Sequence, residues 1–581
     1  MGELIRRLAA RPGLTAELLL ASFFANLLAL ASPLFVIQVL NRYVTYGVDA
    51  TLATLTGGVV AAIALEAGFR QARLMLSANA LEDRDRERAV GAFGLLTTAK
   101  TAALERLPSG QRRETVRGLD SVETTFNPPN IGAVLDVPFA LVFVAALALL
   151  NVYLGLIVVS FMAAAIVLTR ISQRRLKAPM QQLSQAAAMG NTLLATADRA
   201  ADTIRAFGGQ EPLMRSWNQY VGVAQSLRQR VSRMQGSSQS LTQSLQALMG
   251  VAIIAIGATL VVSGHLDVGT LMGANILASR ALGPVLRLAQ LSEPFAKAEL
   301  ALAEALKLAE LPTEADGGAA PGSFSGGLEL RDAAFGYDGA PAPLFESLSL
   351  NLAPGSVLVV RGRNGAGKTT LLRMLAGLVE PTRGQVLADG IDLRQVASAW
   401  WRRQIAYMPQ EPTFLNTSIA ENLRAAGREL DEDGINQIVR EAGLGRFIDE
   451  SPQGLDTPVT DNGASLALGI RRRLALARAL ATTVGATGGG RLVLFDEPTE
   501  GLDAEGAKAV YTALHRLAAE GRTLVLVTGD PIILKGARVV LDLNSKPSPK
   551  LVSVVAGDAG GAGGANNAEN ASAQPGGGAA S

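Results

Sequence analysis

Six stretches almost free of charge lie between Leu14 and Leu291, and they constrain this chain more than any other feature. They cover residues 14–40, 50–65, 131–150, 152–168, 245–263 and 268–291. Glu17 is the only charge in the first, Asp136 sits inside the third, and the last is the most polar. Crossing about 30 Å of hydrocarbon takes about 20 helical residues. Each stretch meets that length or falls slightly short of it. Burying six such runs in a water-soluble core would need a core of implausible size. They predict a membrane α-helical bundle of six transmembrane helices. Arg6, Arg7 and Arg11, followed by small residues at 28–32, resemble a secretory leader. The apolar run, however, continues through Phe35, Val36 and Ile37, too long for one.

Positive charge sets the expected topology. Arg73, Arg84, Arg86, Arg88, Lys100, Arg112, Arg113 and Arg117 fall between the second and third stretches. A second group, from Arg170 to Arg233, falls between the fourth and fifth. The other connections are short, and Arg42 is their only positive charge. By the positive-inside rule both long segments and both termini are cytoplasmic. The long segments are polar and helix-rich, as if the membrane helices continue into the cytoplasm. Residues 1–310 therefore read as a transmembrane domain with cytoplasmic helix extensions. Residues 311–327 are rich in Pro, Gly and Ala and read as a linker. Residues 328–555 read as a second domain, and 556–581 as a disordered Gly/Ala-rich tail.

Composition removes several classes of chemistry. The chain has no cysteine and two histidines, His265 and His515, which excludes disulfides, thiolate metal sites and cysteine nucleophiles. A net charge of +2 gives no support to nucleic-acid binding.

The second domain carries a phosphate-binding loop. Gly362-Arg363-Asn364-Gly365-Ala366-Gly367-Lys368-Thr369-Thr370 follows the apolar strand 357–360 and precedes a helical segment. The glycines let backbone N–H groups close around phosphate oxygens. Lys368 supplies a point charge to the β- and γ-phosphates, and Thr369 offers a hydroxyl to Mg²⁺. Further on, Leu492-Val493-Leu494-Phe495-Asp496-Glu497 reads as a buried strand ending in two acids. Asp496 stands where a carboxylate reaches the Mg²⁺ shell. Glu497 stands where one can polarise an attacking water.

With these elements in this order the chain resembles the ATP-binding cassette (ABC) family. The resemblance implies a type I ABC exporter fold, with six transmembrane helices and a C-terminal α/β P-loop NTPase cassette. It implies that Tyr337 stacks on adenine. It also implies that Gln410 is the glutamine that touches Mg²⁺ and water, and that Glu500-Gly501-Leu502-Asp503 is the loop after the two acids. ATP and Mg²⁺ are the implied cofactors, and two cassettes are expected to sandwich two ATP molecules head to tail.

Two motifs depart from the family, the first at three of its five positions. Where its signature reads Leu-Ser-Gly-Gly-Gln, this chain has Leu466-Ala467-Leu468-Gly469-Ile470. Ala467 lacks the hydroxyl that would bond the γ-phosphate across the dimer, and Leu468 puts bulk where a glycine allows close approach. Where the family has its switch histidine, this chain has Gly529, after Val527-Thr528. Each lost donor costs about 10²–10³-fold in rate. Good ATP binding and weak hydrolysis are expected.

Residues 29–42, Asp120-Ser121-Val122-Glu123, Asp136-Val137-Pro138-Phe139 and residues 416–422 resemble the type I secretion branch. That branch moves polypeptide out of the cytoplasm. The resemblance implies a multi-pass protein of the bacterial inner membrane and a second half-transporter, in a homodimer or a heterodimer. It also implies a periplasmic adaptor, an outer-membrane channel and contact with membrane lipid. The residues alone leave two alternatives open: a nucleotide-binding regulatory half-transporter paired with an intact partner, and a lipid or small-molecule exporter. Coupling is expected through short cytoplasmic segments around Ser121–Phe126 and Ala206–Pro212.

Overall fold

The computed structural model describes residues 2–314, 317–337, 339–427, 430–484, 489–537 and 539–553, with the side chains of 2 and 79–84 excepted. The tail expected at 556–581 lies outside the described residues. The chain divides into two units. The first is Met1–Ala99 with Ala103–Thr313; the second is Lys100–Ala102 with Glu314–Ser581.

The first unit is all helix. Among the described residues, five helical segments are long and apolar enough to cross a membrane. These are Pro12–Tyr46, Asp49–Ala78, Pro128–Leu150, Val152–Arg199 and Gln210–Val262. The sixth expected span, Val268–Gln290, is a 23-residue helix less apolar than the other five. The cause is its place in the bundle. Ten of its residues, among them Gly273, Ala274, Leu277, Ala281 and Leu282, are buried against other helices. A helix that faces protein rather than lipid has less need of hydropathy. By contrast Val60, Ile63 and Leu65 of the second span point outward.

The polar extensions are helical as expected. Asp49–Thr98, Val152–Arg199 and Gln210–Val262 run 50, 48 and 53 residues without a break. At about 1.5 Å per residue each is more than twice the hydrocarbon thickness. Asn151 sets the start of one of them by accepting from the N–H of Tyr153 and Leu154.

The first span is not a single α-helix. It breaks after Leu28, restarts at Ala31–Gln38 and widens into a π-turn at Val39–Tyr43. The segment Ser121–Phe126, expected to be presented for coupling, is instead packed inside this unit. Val122 and Phe126 are 2% and 3% exposed, and the Phe126 ring meets Phe295 edge-on at 5.6 Å. Ser121, Val122, Thr125 and Phe126 are buried and Asp120, Glu123 and Thr124 exposed, the spacing of a helix with one buried face. The other candidate is open: Phe207, just after the helix Ala201–Ala206, is 84% exposed.

The second unit has two sheets. Strands Phe345–Leu352, Leu328–Phe335, Arg383–Ala388 and Ile391–Asp392 form an antiparallel sheet in that order. The second sheet orders Lys550–Ser553, Val539–Asp542, Val357–Arg361, Thr523–Val527, Leu492–Asp496 and Ile405–Met408. All its neighbours are parallel except the first pair. Its central strands read Val-Leu-Val-Val, Thr-Leu-Val-Leu-Val and Leu-Val-Leu-Phe-Asp, continuous apolar runs that suit a parallel sheet covered on both faces. One core lies on each side, centred on Leu371, Leu372 and Leu375 and on Leu474, Leu476 and Leu480. Part of the segment expected as a linker is laid onto this unit. Phe324 is buried against Trp401, and Ser325 and Gly327 donate backbone N–H to Asp389.

Candidate functional site

Strand register brings the predicted site residues to one edge of the parallel sheet. Val360 pairs with Val527, and Asp496 pairs with the same Val527. The loop after Val357–Arg361, the acids after Leu492–Phe495 and the residues after Val527 therefore leave the sheet side by side. Ligands of open parallel sheets sit at this carboxyl edge.

The phosphate loop spans 362–367, and Lys368 opens the helix Lys368–Leu375. Gly365 and Gly367 have φ of 78° and 101°, a region that side-chain-bearing residues avoid. A Cβ on Gly367 would also press on Phe345 and Leu344 at 3.3–3.4 Å. Arg363 and Asn364 lie on the loop, and the Arg363 N–H is held by Asn544 at 2.8 Å. Ala366 is buried. The Lys368 ammonium donates to the Gly362 carbonyl at 2.9 Å and lies 3.9 Å from Glu497 Oε1. Its position is thus set from both sides of the loop before any phosphate arrives. Thr370 is buried, and its hydroxyl lies 3.1 Å from the Tyr337 hydroxyl. The Tyr337 ring is half-exposed and braced edge-on by Phe335 at 5.1 Å. A base can stack on its open face.

Asp496 is buried, and burial pushes its carboxyl above the usual carboxylate range against the opposing hydrogen bond from Thr369. Its Oδ2 has no partner. A buried, unpaired carboxylate oxygen beside a hydroxyl suits a hard cation that takes oxygen ligands. Among the described residues no group of three His, Asp or Glu could hold a metal alone. A magnesium ion here would lean on one carboxylate, one hydroxyl and substrate phosphates, its common arrangement in nucleotide sites. One expectation follows for the nucleotide-free protein. Asp496→Asn removes a buried charge whose burial outweighs its stabilising contacts, so the melting temperature rises by about 2–4 °C for each kcal/mol relieved. Added ATP and magnesium then stabilise the variant less than the wild type. Thermal denaturation with and without ligand checks both. The raised carboxyl pKa also means that acid protonates Asp496 early, so magnesium-dependent stabilisation fades as pH falls towards that value.

Glu497 is held in an unusual backbone conformation, φ 46°, of the kind that costs about 1–3 kcal/mol. Three contacts pin it. Its N–H donates to Val527 O at 2.8 Å, its carbonyl accepts from Arg472 at 3.2 Å, and its Oε2 accepts from the Gly529 N–H at 3.4 Å. Gln410 donates to Glu500 at 3.4 Å, and Glu500 is paired with Arg472 at 3.2 Å. Sequence reasoning missed both Arg472 and the Gly529 N–H. Arg472 lies in the Arg-rich run 471–473, whose residues do not by themselves announce that it is buried.

The departures have plain structural settings. A Cβ on Gly529 would meet nothing within 4 Å, so a side chain has room there. Neighbouring Asp530 cannot stand in, because it accepts from Tyr511, Thr499 and the Ile532 N–H at 2.7–2.9 Å. Burial works to raise its pKa, but those bonds hold it below the ordinary value. Ala467 precedes the helix Leu468–Ala481 with no side-chain cap, and Leu468 packs over Gly501. Ser465 is bonded to Thr460. His515 is exposed on the helix Ala504–Ala519, and His265 is exposed in a turn beside Ser263. Neither belongs to the site.

Comparisons with known proteins agree with this arrangement. Residues 15–285 match the model of the ABC transporter transmembrane region, and 345–500 match that of the ABC transporter cassette. The toxin RTX-I translocation ATP-binding protein of Actinobacillus pleuropneumoniae is 28% identical over 516 residues. The cyclolysin secretion/processing ATP-binding protein CyaB of Bordetella pertussis is 29% identical over 523, and the alpha-hemolysin translocation ATP-binding protein HlyB of Escherichia coli is 27% identical over 516. Each match covers 88% of this chain and 71% of the relative. A solved structure, a bacterial Atm1-family ABC exporter with ATP bound, shares the fold. Its TM-score is 0.80, with 93% of this chain and 94% of that one covered at 20% identity.

Proposed function

The chain carries the transmembrane region and the ATP-binding cassette of an ABC transporter and belongs to that family, and on that premise we propose that it moves polypeptide out of the cytoplasm as the inner-membrane permease and ATPase of a type I secretion system. It has the type I ABC exporter fold and is an ABC-type ATPase. The observation that carries the finer reading is the likeness, across 88% of the chain, to three proteins named for toxin, cyclolysin and haemolysin translocation or secretion. The basic loops support an orientation with both termini and the cassette in the cytoplasm. A second half-transporter, a periplasmic adaptor and an outer-membrane channel are the proposed partners.

In this account the loop 362–367 wraps the phosphates with backbone N–H groups, and Lys368 adds a positive charge. Tyr337 stacks on the base, fixing the nucleotide's orientation. Thr369, Asp496 and Gln410 are the residues that would hold Mg²⁺, which neutralises phosphate charge when bound. Glu497 orients and polarises the attacking water as general base. ATP shifts the transporter between states to the extent that it binds one more tightly. Tyr337→Ala is expected to weaken ATP binding by about tenfold, and Tyr337→Phe to leave it nearly unchanged, because stacking needs the ring and not the hydroxyl. Equilibrium binding of a fluorescent ATP analogue checks this.

The polypeptide reading is tested by comparing proteins secreted by wild-type cells and by cells carrying Lys368→Ala. Loss of one or more secreted polypeptides is expected. An unchanged protein profile with an altered lipid or small-molecule profile overturns it. Ala467 and Gly529 favour a second reading of the assembly, in which an intact partner supplies the missing donors. In a homodimer both sites carry both defects; in a heterodimer each carries one.

A further inference from the structure

Between Arg233 and Asp267 the sequence has no Asp, Glu, Lys or Arg. The later part is the apolar run of a span. The earlier part, residues 235–244, is Gln-Gly-Ser-Ser-Gln-Ser-Leu-Thr-Gln-Ser, polar yet uncharged. Gln235, Ser238, Gln239 and Thr242 stand at i, i+3, i+4 and i+7, one face of the helix Gln210–Val262. That face lines a cavity of about 200 Å³ within the membrane unit. Ser172 and Leu176 close it from the neighbouring long helix, and Ala289, Gln290, Ser292 and Glu293 close it from the last span.

Two features mark this cavity as a site. The cavity sits where the last span ends: Val268–Gln290 stops and Ser292–Ala309 begins, with the single residue Leu291 between them and no side chain capping the second helix. Further, Ser292 is 3% exposed and its hydroxyl has no hydrogen-bond partner. A buried polar atom left unsatisfied costs about 1–3 kcal/mol, which a ligand in the cavity would relieve.

We propose that this cavity binds the peptide backbone of a polypeptide in transit, one peptide unit at a time and without regard to its side chains. The inference rests on the polypeptide-export reading and names where the substrate is held. Hydroxyls and carboxamides both donate and accept, as a peptide unit does. A lining with one carboxylate, Glu293, and no cation has little means to select among charged side chains. The volume admits a peptide unit and no folded partner.

The test uses the full-length protein in lipid nanodiscs, without nucleotide. The probe is acetyl-Gly-Ser-Gly-Ser-amide, beside a depsipeptide in which the central amide is an ester. Binding is read by saturation-transfer NMR. The peptide is expected to bind at millimolar concentration, with the depsipeptide about fivefold weaker, as expected for one neutral hydrogen bond. Gln239→Leu is expected to lower peptide affinity at least fivefold. Gln239 is exposed, so this variant folds, and Ser292→Ala serves as a second, smaller change expected to act in the same direction. Equal binding of peptide and ester, no effect of Gln239→Leu, or no peptide binding beyond ordered water in the cavity overturns the proposal. Secretion measured with Lys368→Ala stays a separate readout. Secretion without peptide binding rejects this site alone, whereas no secreted polypeptide rejects the export reading.

Discussion

Placing histidine at position 529 is expected to raise ATP turnover by about tenfold or more, the direction opposite to that of most substitutions in an enzyme. The strand Thr523–Val527 delivers Thr528 and Gly529 to the carboxyl edge of the sheet, beside Asp496 and Glu497. The Gly529 N–H already touches Glu497 Oε2 at 3.4 Å, so a side chain there starts within reach of Glu497, the proposed general base. Nothing lies within 4 Å of its absent Cβ, and its backbone is not in the left-handed region reserved for glycine. The space for a donor is therefore present and empty of side chain. One preorganised donor to developing charge is worth about 10²–10³-fold. The full gain is not expected from Gly529→His alone, since Ala467 and Leu468 still impair the partner-facing surface and such groups act as a unit. Adding Ala467→Ser, Leu468→Gly and Ile470→Gln to Gly529→His is expected to exceed the product of the separate gains. Phosphate release, with Lys368→Ala as background and Gly529→Ala as a neutral control, checks this. A Gly529→His rate equal to wild type contradicts it.

The second large effect lies in the membrane unit. Asp136 and Arg73 form a buried pair, Nη1 to Oδ1 2.6 Å, with both side chains under a tenth exposed. Asn26 donates to the same Oδ1 at 2.8 Å, and Arg73 reaches Ser22 Oγ at 3.1 Å. Gly132 makes room for the guanidinium, since a Cβ there would stand 2.9 Å from Nη2. Spans one, two and three meet at this cluster. Asp136→Ala leaves the arginine buried without its counter-charge, a change that costs about 3–5 kcal/mol. The melting temperature in detergent is expected to fall sharply. Arg73→Met with Asp136→Leu removes both charges and is expected to recover most of the loss, since apolar replacement of a whole buried pair is often neutral. A melting temperature for Asp136→Ala within error of wild type contradicts this, as does a double variant no better than the single one.

Much of this was legible in the sequence because the signals are local. The phosphate loop needs nine consecutive residues, and the strand that ends in Asp496 needs five. Continuous apolar runs gave five spans directly. The sixth was the faintest because Val268–Gln290 spends its apolar face on other helices rather than on lipid. What stayed hidden depends on distance along the chain. Asp136 stood out as a charge inside an apolar run, but its partner lies 63 residues away. The burial of Phe126 depends on Phe295, far along the chain, so the packing of the coupling candidate Ser121–Phe126 did not show in its own residues. The Glu497 backbone strain and the Gly529 contact arise from strand register, which no single motif encodes. The π-turn at Val39–Tyr43 likewise has no breaker residue to announce it.

The central claim is that this cassette binds ATP but turns it over slowly, because the signature and the switch position lack their donors. The most direct measurement is steady-state ATP hydrolysis by the purified full-length chain alone in lipid, beside equilibrium ATP binding. The account predicts saturable binding lost in Lys368→Ala, with hydrolysis barely above that variant's background. Ordinary ATPase activity in the chain alone, abolished by Glu497→Gln, would contradict it.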